Sequence, residues 1–163
     1  MPVVSDTSPL SNLAIIGRLD LLRDRYGAVL IPPAVHRELA ALSHPLGKSR
    51  IESALREGWL RIEPLNVGTP APALPHELDP GETEAIALCI QRAAEKVILD
   101  DALGRAAAKH LGLRFSGLLG ELVFAKLAGR IPTVRDEINL LRRDARFFVS
   151  EEVEAVILAQ AGE

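Results

Sequence analysis

The sequence predicts an α/β fold: three layers, α/β/α, around a mostly parallel central sheet. Three observations carry this. Short runs rich in Val, Ile and Leu alternate with longer stretches of helical periodicity, the pattern of a sheet covered on both faces. The 163 residues, 48% of them apolar, suffice for the core of one domain spanning 1–163. Acidic residues directly end two of the apolar runs, and ligands of parallel sheets bind beyond the carboxyl ends of the strands.

Residues 2–5 read as a first strand. Thr7-Ser8-Pro9 opens a helix, with Pro9 suited to the first turn, and Gly17 stops it. A second helix over 18–26 ends at Gly27, a good residue for a helix C-terminus. Ala28-Val29-Leu30-Ile31 is the second strand, and Pro32-Pro33 starts a helix running to about Leu42. Residues 43–47 read as loop, 49–57 as helix, and Trp59-Leu60-Arg61-Ile62 as an alternating edge strand.

The Pro-rich stretch 64–78 reads as a surface loop, since neither side of it could complete a core. A strong helix follows from Pro80 to Ala94, then a buried strand from Lys96 to Leu99. Residues 101–110 are helical, Leu113-Arg114-Phe115 is a strand, and 117–128 and 133–144 are helices. Phe147-Phe148-Val149 reads as a short strand, and the tail from Glu151 as an amphipathic helix that packs on the core.

A formal net charge of −3 is not that of a general nucleic-acid coat. It leaves room for a nucleic-acid enzyme whose acids bind cations. Arginine dominates the positive charge and suits bidentate phosphate contacts. Aromatics are only 4% of the chain, so platforms for stacking bases should be scarce. The single cysteine, Cys89, excludes an internal disulfide and a multi-cysteine zinc site, and its apolar helical setting makes it a buried thiol. No stretch is long enough to span a bilayer and no signal-peptide pattern is seen, so a soluble cytoplasmic protein is expected.

Four acidic clusters concentrate the chemistry: Asp6, Glu38, the pair Glu82 and Glu84, and the pair Asp100 and Asp101. Each has a structural reading. Asp6 and one of Asp100 and Asp101 could cap helices, and Glu38 could be a solvated helix residue. Asp79-Pro80-Gly81-Glu82 has the layout of a capping box, which accounts for Glu82 and leaves Glu84 as the preferred functional acid. Taken together, the clusters can converge, and gathered carboxylates repel unless a hard cation joins them. An oxygen-only donor set suits Mg²⁺ or Mn²⁺. His36, His44, His76 and His110 are scattered and lack metal-ligand spacing.

The opening Val3-Val4-Ser5-Asp6-Thr7-Ser8-Pro9-Leu10 resembles that of a PIN domain. The subfamily is indicated by Gly81-Glu82-Thr83-Glu84-Ala85-Ile86-Ala87-Leu88, by Leu99-Asp100-Asp101 with Arg105, and by Leu111-Gly112-Leu113 leading to Ser116-Gly117-Leu118-Leu119-Gly120. The resemblance covers nearly the whole chain in the right order. It implies an Mg²⁺- or Mn²⁺-dependent endoribonuclease of the VapC toxin type. Its catalytic and metal-binding acids would be Asp6, Glu38, Glu84 and Asp101, with Asp100 as a further metal ligand. Thr7, Ser8, Glu82, Arg105 and Ser116 would support the site or contact phosphate. Two departures stand out: Glu84 replaces the more common Asp, and Leu99-Asp100-Asp101 replaces Thr-x-Asp. The resemblance also implies an RNA substrate, a small antitoxin partner covering the cleft, and a homodimer.

The chemistry expected of such a site is in-line attack by an activated water, expelling the 3′-oxygen and leaving a 5′-phosphate. Arg105, Arg114, Arg142, Arg143 and Arg146 are candidate phosphate contacts. A haloacid dehalogenase-type phosphatase would need a second Asp two positions after Asp6, where Ser8 stands. A P-loop NTPase would need a Gly-x4-Gly-Lys-Ser/Thr that the chain lacks. A PIN-like binding module without catalysis is the remaining alternative.

Overall fold

The computed structural model describes residues 1–67 and 77–163. The core of the Pro-rich stretch expected to be a loop, with His76, lies outside them. Among the described residues, five parallel strands form one sheet in the order β3-β2-β1-β4-β5. They are β1 (Val3–Ser5), β2 (Val29–Ile31), β3 (Leu60–Ile62), β4 (Lys96–Ile98) and β5 (Phe115–Ser116). The helices are α1 (Thr7–Ile15), α2 (Asp20–Tyr26), α3 (Pro33–Ala40), α4 (Pro45–Glu57), α5 (Pro80–Gln91), α6 (Ala102–His110), α7 (Leu118–Leu127), α8 (Val134–Asp144) and α9 (Glu151–Gln160). No helix among the described residues is long and apolar enough to cross a membrane.

Alternation along the strands divides the core in two. Val3 and Ile98 face a large cluster with α1, α2, α7 and α8 residues such as Leu10, Leu22, Leu122 and Ile138. Val4, Val97 and Leu99 face the other side, against Ala85, Leu88, Cys89 and Ala108 of α5 and α6. Cys89 is accordingly a buried free thiol, pushed up to about 11 by burial.

The strand order fixes where a site can form. From β1 the chain turns one way to β2, and β4 pairs with the opposite edge of β1. The carboxyl ends of β1 and β4 therefore flank a topological switch point, the crevice where open parallel sheets bind ligands. The Asp6 N–H donates to the Ile98 carbonyl (2.9 Å), so Asp6 and the Asp100-Asp101 pair emerge side by side.

Several boundaries differ from expectation. α4 begins at Pro45, inside the expected loop, because His44 caps it: its Nδ1 accepts the Gly47 N–H at 2.9 Å. α5 ends at Gln91, three residues early, where Arg92 closes the helix and Ala93 takes φ 47°. The last strand lies at Phe115–Ser116, one residue beyond its expected centre. Phe147-Phe148-Val149 is not a strand. Its backbone is satisfied by α8: the Phe147 N–H donates to the Leu141 carbonyl (3.1 Å) and Arg142 donates to the Val149 carbonyl (2.9 Å).

Behind β4 and β5, Glu121 of α7 is 3% exposed yet fully engaged. It accepts from Tyr26 (2.7 Å), Ser116 (2.8 Å) and Arg25 (2.8 Å), while Lys96 donates to the Tyr26 hydroxyl at 2.9 Å. The cluster joins α2, β4, β5 and α7 through polar contacts whose partners are all supplied by the chain.

Candidate metal centre

A cavity of about 440 Å³ opens at the carboxyl ends of β1 and β4. Its walls carry six carboxylates: Asp6, Glu38, Asp79, Glu82, Asp100 and Asp101, with Thr7, Ser8 and Ser11 between them. Carboxylate oxygens of Asp6, Glu38 and Asp79 lie within 4.8 Å of one another.

Asp6 ends β1 and stands at the N-cap position of α1, but its side chain makes no capping hydrogen bond. It is 5% exposed, and its Oδ1 is buried with no hydrogen-bond partner among the described residues. Burial, abetted by the charges of Asp79, Glu82 and Glu38, pushes its carboxyl up to about 7; the Thr7 N–H offsets this only in part. A buried carboxylate oxygen with no donor demands an explanation, and a cation is the one its neighbours supply. The donor set, all oxygen and mostly anionic, fits a hard divalent ion such as Mg²⁺ or Mn²⁺.

Glu38 enters from α3, where the Thr7 hydroxyl donates to its Oε2. Gly81 of α5 lets it in: a Cβ there would lie 2.6 Å from the same oxygen. Asp79 and Glu82 come from the start of α5 and form a complete capping box. The Glu82 N–H donates to Asp79 Oδ1 (2.8 Å) and the Asp79 N–H to Glu82 Oε2 (3.3 Å). Burial, then the charge of Asp79, pushes Glu82 up to about 7.

The Asp pair divides its tasks. Asp101 caps α6, accepting the Leu103 and Gly104 N–H groups at 2.9 and 3.1 Å. Asp100 accepts the Leu118 N–H at the start of α7 (2.8 Å) and lies 3.4 Å from the Ser8 hydroxyl. Burial raises its carboxyl above the usual range, against the lowering effect of Leu118 and Arg105.

Residues 2–163 match the family described as a PIN domain (DUF3368). The chain belongs to the PIN domain family. A solved structure with a similar fold is the PilT N-terminus domain protein SSO1118 of the archaeon Sulfolobus solfataricus P2. The two share 19% identity over 93% of this chain and 99% of that one, with a TM-score of 0.53. No curated protein matches the chain.

Of the residues the sequence singles out, Asp6, Glu38, Asp100 and Asp101 line one cavity of this PIN domain, with Thr7 and Ser8 among them. It places Glu84 elsewhere. Two residues along a helix turn the side chain about 200°, so Glu82 and Glu84 cannot share a wall. Glu84 accepts the Ala34 N–H at the start of α3 (2.9 Å) and faces Arg37 at 3.9 Å, fastening α5 to α3. The cavity-facing acid of the pair is Glu82; capping the helix does not remove it from the cavity, because the cap stands at the cavity wall. Asp79 was expected only as a cap. Its signal was the same motif: a cap preceding Gly81, where the absent side chain admits another helix.

Ser116 also departs from expectation, donating to Glu121 rather than serving the acids. Among the arginines, Arg105 reaches a cavity acid: its Nε donates to the Leu99 carbonyl (2.9 Å) and an Nη lies 3.6 Å from Asp100 Oδ1. Gly117 makes room for this guanidinium, which occupies the space of its missing Cβ. Arg142 is committed to Val149 and Glu154, and Arg143 to Asp144.

Proposed function

We propose that the chain is a divalent-metal-dependent ribonuclease that hydrolyses RNA phosphodiesters. The observation that carries this reading is the buried, unpartnered Oδ1 of Asp6 among converging carboxylates at the sheet's switch point. Asp6, Glu38 and Asp79 would hold Mg²⁺ or Mn²⁺, with Asp100 and Asp101 on the opposite wall. The bound ion would stabilise charge on the phosphate and ease deprotonation of water.

The remaining work falls to the chain's own groups. Glu82 faces the cavity outside the triad and is the acid to orient the attacking water and take its proton. Arg105, its guanidinium held by Leu99 and set beside Asp100, contacts a phosphate of the substrate strand. The Thr7 hydroxyl holds Glu38 in place. No side chain needs to form a covalent bond.

The family resemblance supports a toxin role of the VapC type, with a small antitoxin protein covering the acidic cleft and a homodimer as the working form.

Cleavage of single-stranded RNA with Mg²⁺ or Mn²⁺ tests the reading. Wild type should cut, EDTA should abolish cutting, and Asp6→Asn should reduce it by at least about 100-fold. Equal cutting by Asp6→Asn, or cutting that survives EDTA, would refute it. Tight RNA binding by wild type without cleavage would favour a binding module.

A further inference from the structure

A second cleft of about 440 Å³ adjoins the acidic cavity, and Asp100 lines both. It falls within the ~300–1,000 Å³ range of small-ligand clefts. The chain has four phenylalanines, and three of them, Phe115, Phe147 and Phe148, line this one cleft. In a protein so poor in aromatics, that concentration is not a reflection of composition. Val153 and Ile157 of α9 complete an apolar wall.

Phe148 is 86% exposed, a large apolar ring left in water. Its turn is nonetheless pinned on both sides. The Phe147 N–H is bonded to Leu141, and Arg142 grips the Val149 carbonyl and Glu154. Ser150 then caps α9, accepting the Val153 N–H at 3.2 Å. A turn whose backbone is held this way has little further freedom to lose when a partner covers the ring. Arg105 also lines this cleft, its guanidinium 6.0 Å from the Phe115 ring centroid and 3.6 Å from Asp100 Oδ1, its side chain 40% exposed.

We propose that this cleft binds a nucleobase of a single-stranded RNA, next to the phosphate held at the acids. The inference rests on the nuclease reading above and adds the substrate form: an unpaired nucleotide stacked on Phe148, with its phosphate beside Arg105. Three features favour a nucleotide over a peptide. The cleft shares Asp100 with the acidic cavity, the Arg105 guanidinium lies beside that residue, and three aromatic rings line the walls. Bases stack on such faces with little regard to sequence, and single strands are the form whose bases can be splayed out to reach them.

The experiment is an abasic scan. Labelled single-stranded RNAs, each lacking one base, are titrated against the protein in Ca²⁺ by fluorescence anisotropy. The same RNAs are tested for cleavage in Mn²⁺. In wild type, removing the base at one position beside the cleavage site should weaken binding by about 10-fold. In Phe148→Ala the intact RNA should bind that much more weakly, and the abasic penalty should fall below twofold. Phe148→Trp should restore both. The exposed position leaves folding intact, which melting curves of each variant check.

If wild type cuts RNA but neither base removal nor Phe148→Ala matters, the stacking site is refuted while the nuclease reading stands. That result would leave the cleft to a peptide. If wild type binds RNA with a Phe148-dependent abasic penalty but never cuts it, the stacking site stands and the nuclease reading falls. If RNA does not bind at all, both fall.

Discussion

Asp6 and Glu84 show how the same residue class can face opposite demands. Asp6 is buried with its Oδ1 unpartnered, so its charge opposes folding until a cation arrives. Asp6→Asn should therefore raise the melting temperature of the metal-free protein at pH 8, by roughly 2–4 °C for each kcal/mol relieved. At pH 5 the gain should vanish, since Asp6, at about 7, is already protonated there. A fall in melting temperature at pH 8 would mean that the carboxylate is satisfied after all. Glu84→Gln should behave differently, because Glu84 accepts a backbone N–H from α3. It should cost about 1–2 kcal/mol of stability and leave cleavage within a few-fold of wild type. Glu82→Gln should reduce cleavage by at least about 100-fold. Kinetics and melting curves of the two variants separate the roles, and the reverse ranking would return Glu84 to the site.

At the scale of elements, the site depends on how closely α3 and α5 approach. Gly81 is the point of contact, since a methyl there would meet the Glu38 carboxylate at 2.6 Å. Gly81→Ala should weaken Mn²⁺ binding about tenfold by calorimetry, an effect worth ~1.4 kcal/mol. Its thermal stability should change less, as alanine's better helix propensity, worth up to ~1 kcal/mol, offsets the strain. Unchanged Mn²⁺ affinity would show that Glu38 is dispensable. The order of elements was legible in the sequence because each strand is a short apolar run bounded by turn residues. The Phe147–Val149 segment misled because β-propensity reports a half-buried apolar surface; here α8, not a neighbouring strand, supplies the hydrogen bonds. Four of the cavity acids were legible because their strands and helices end at one sheet edge. The choice between Glu82 and Glu84 was not, since periodicity says that they diverge but not which faces inward.

Over the whole molecule, crowding of acids makes stability depend on pH and on metal. The carboxyls of Asp6 and Glu82 are raised to about 7 in the folded state, while the unfolded chain keeps ordinary values near 3.8 and 4.5. The folded protein therefore holds more protons between about pH 4 and 7, and these groups' contribution to stability is lost as pH rises through that window. Metal-free protein should melt lower at pH 8 than at pH 5. Mg²⁺ or Mn²⁺ should raise the melting temperature at pH 8, through a stabilisation of about 2.7 kcal/mol at 100 times the dissociation constant, and affect pH 5 little. A melting temperature independent of metal at pH 8 would count against the centre. The pairing of β1 with β4 has a further consequence, in time rather than in space. Ser8 and Asp100 meet across 92 positions of chain, and Asp100 is held by Leu118, another 18 along. A growing polypeptide exposes Asp6 long before the segment that completes its surroundings has been made. The acidic cavity therefore cannot take its final shape until synthesis has passed the start of α7.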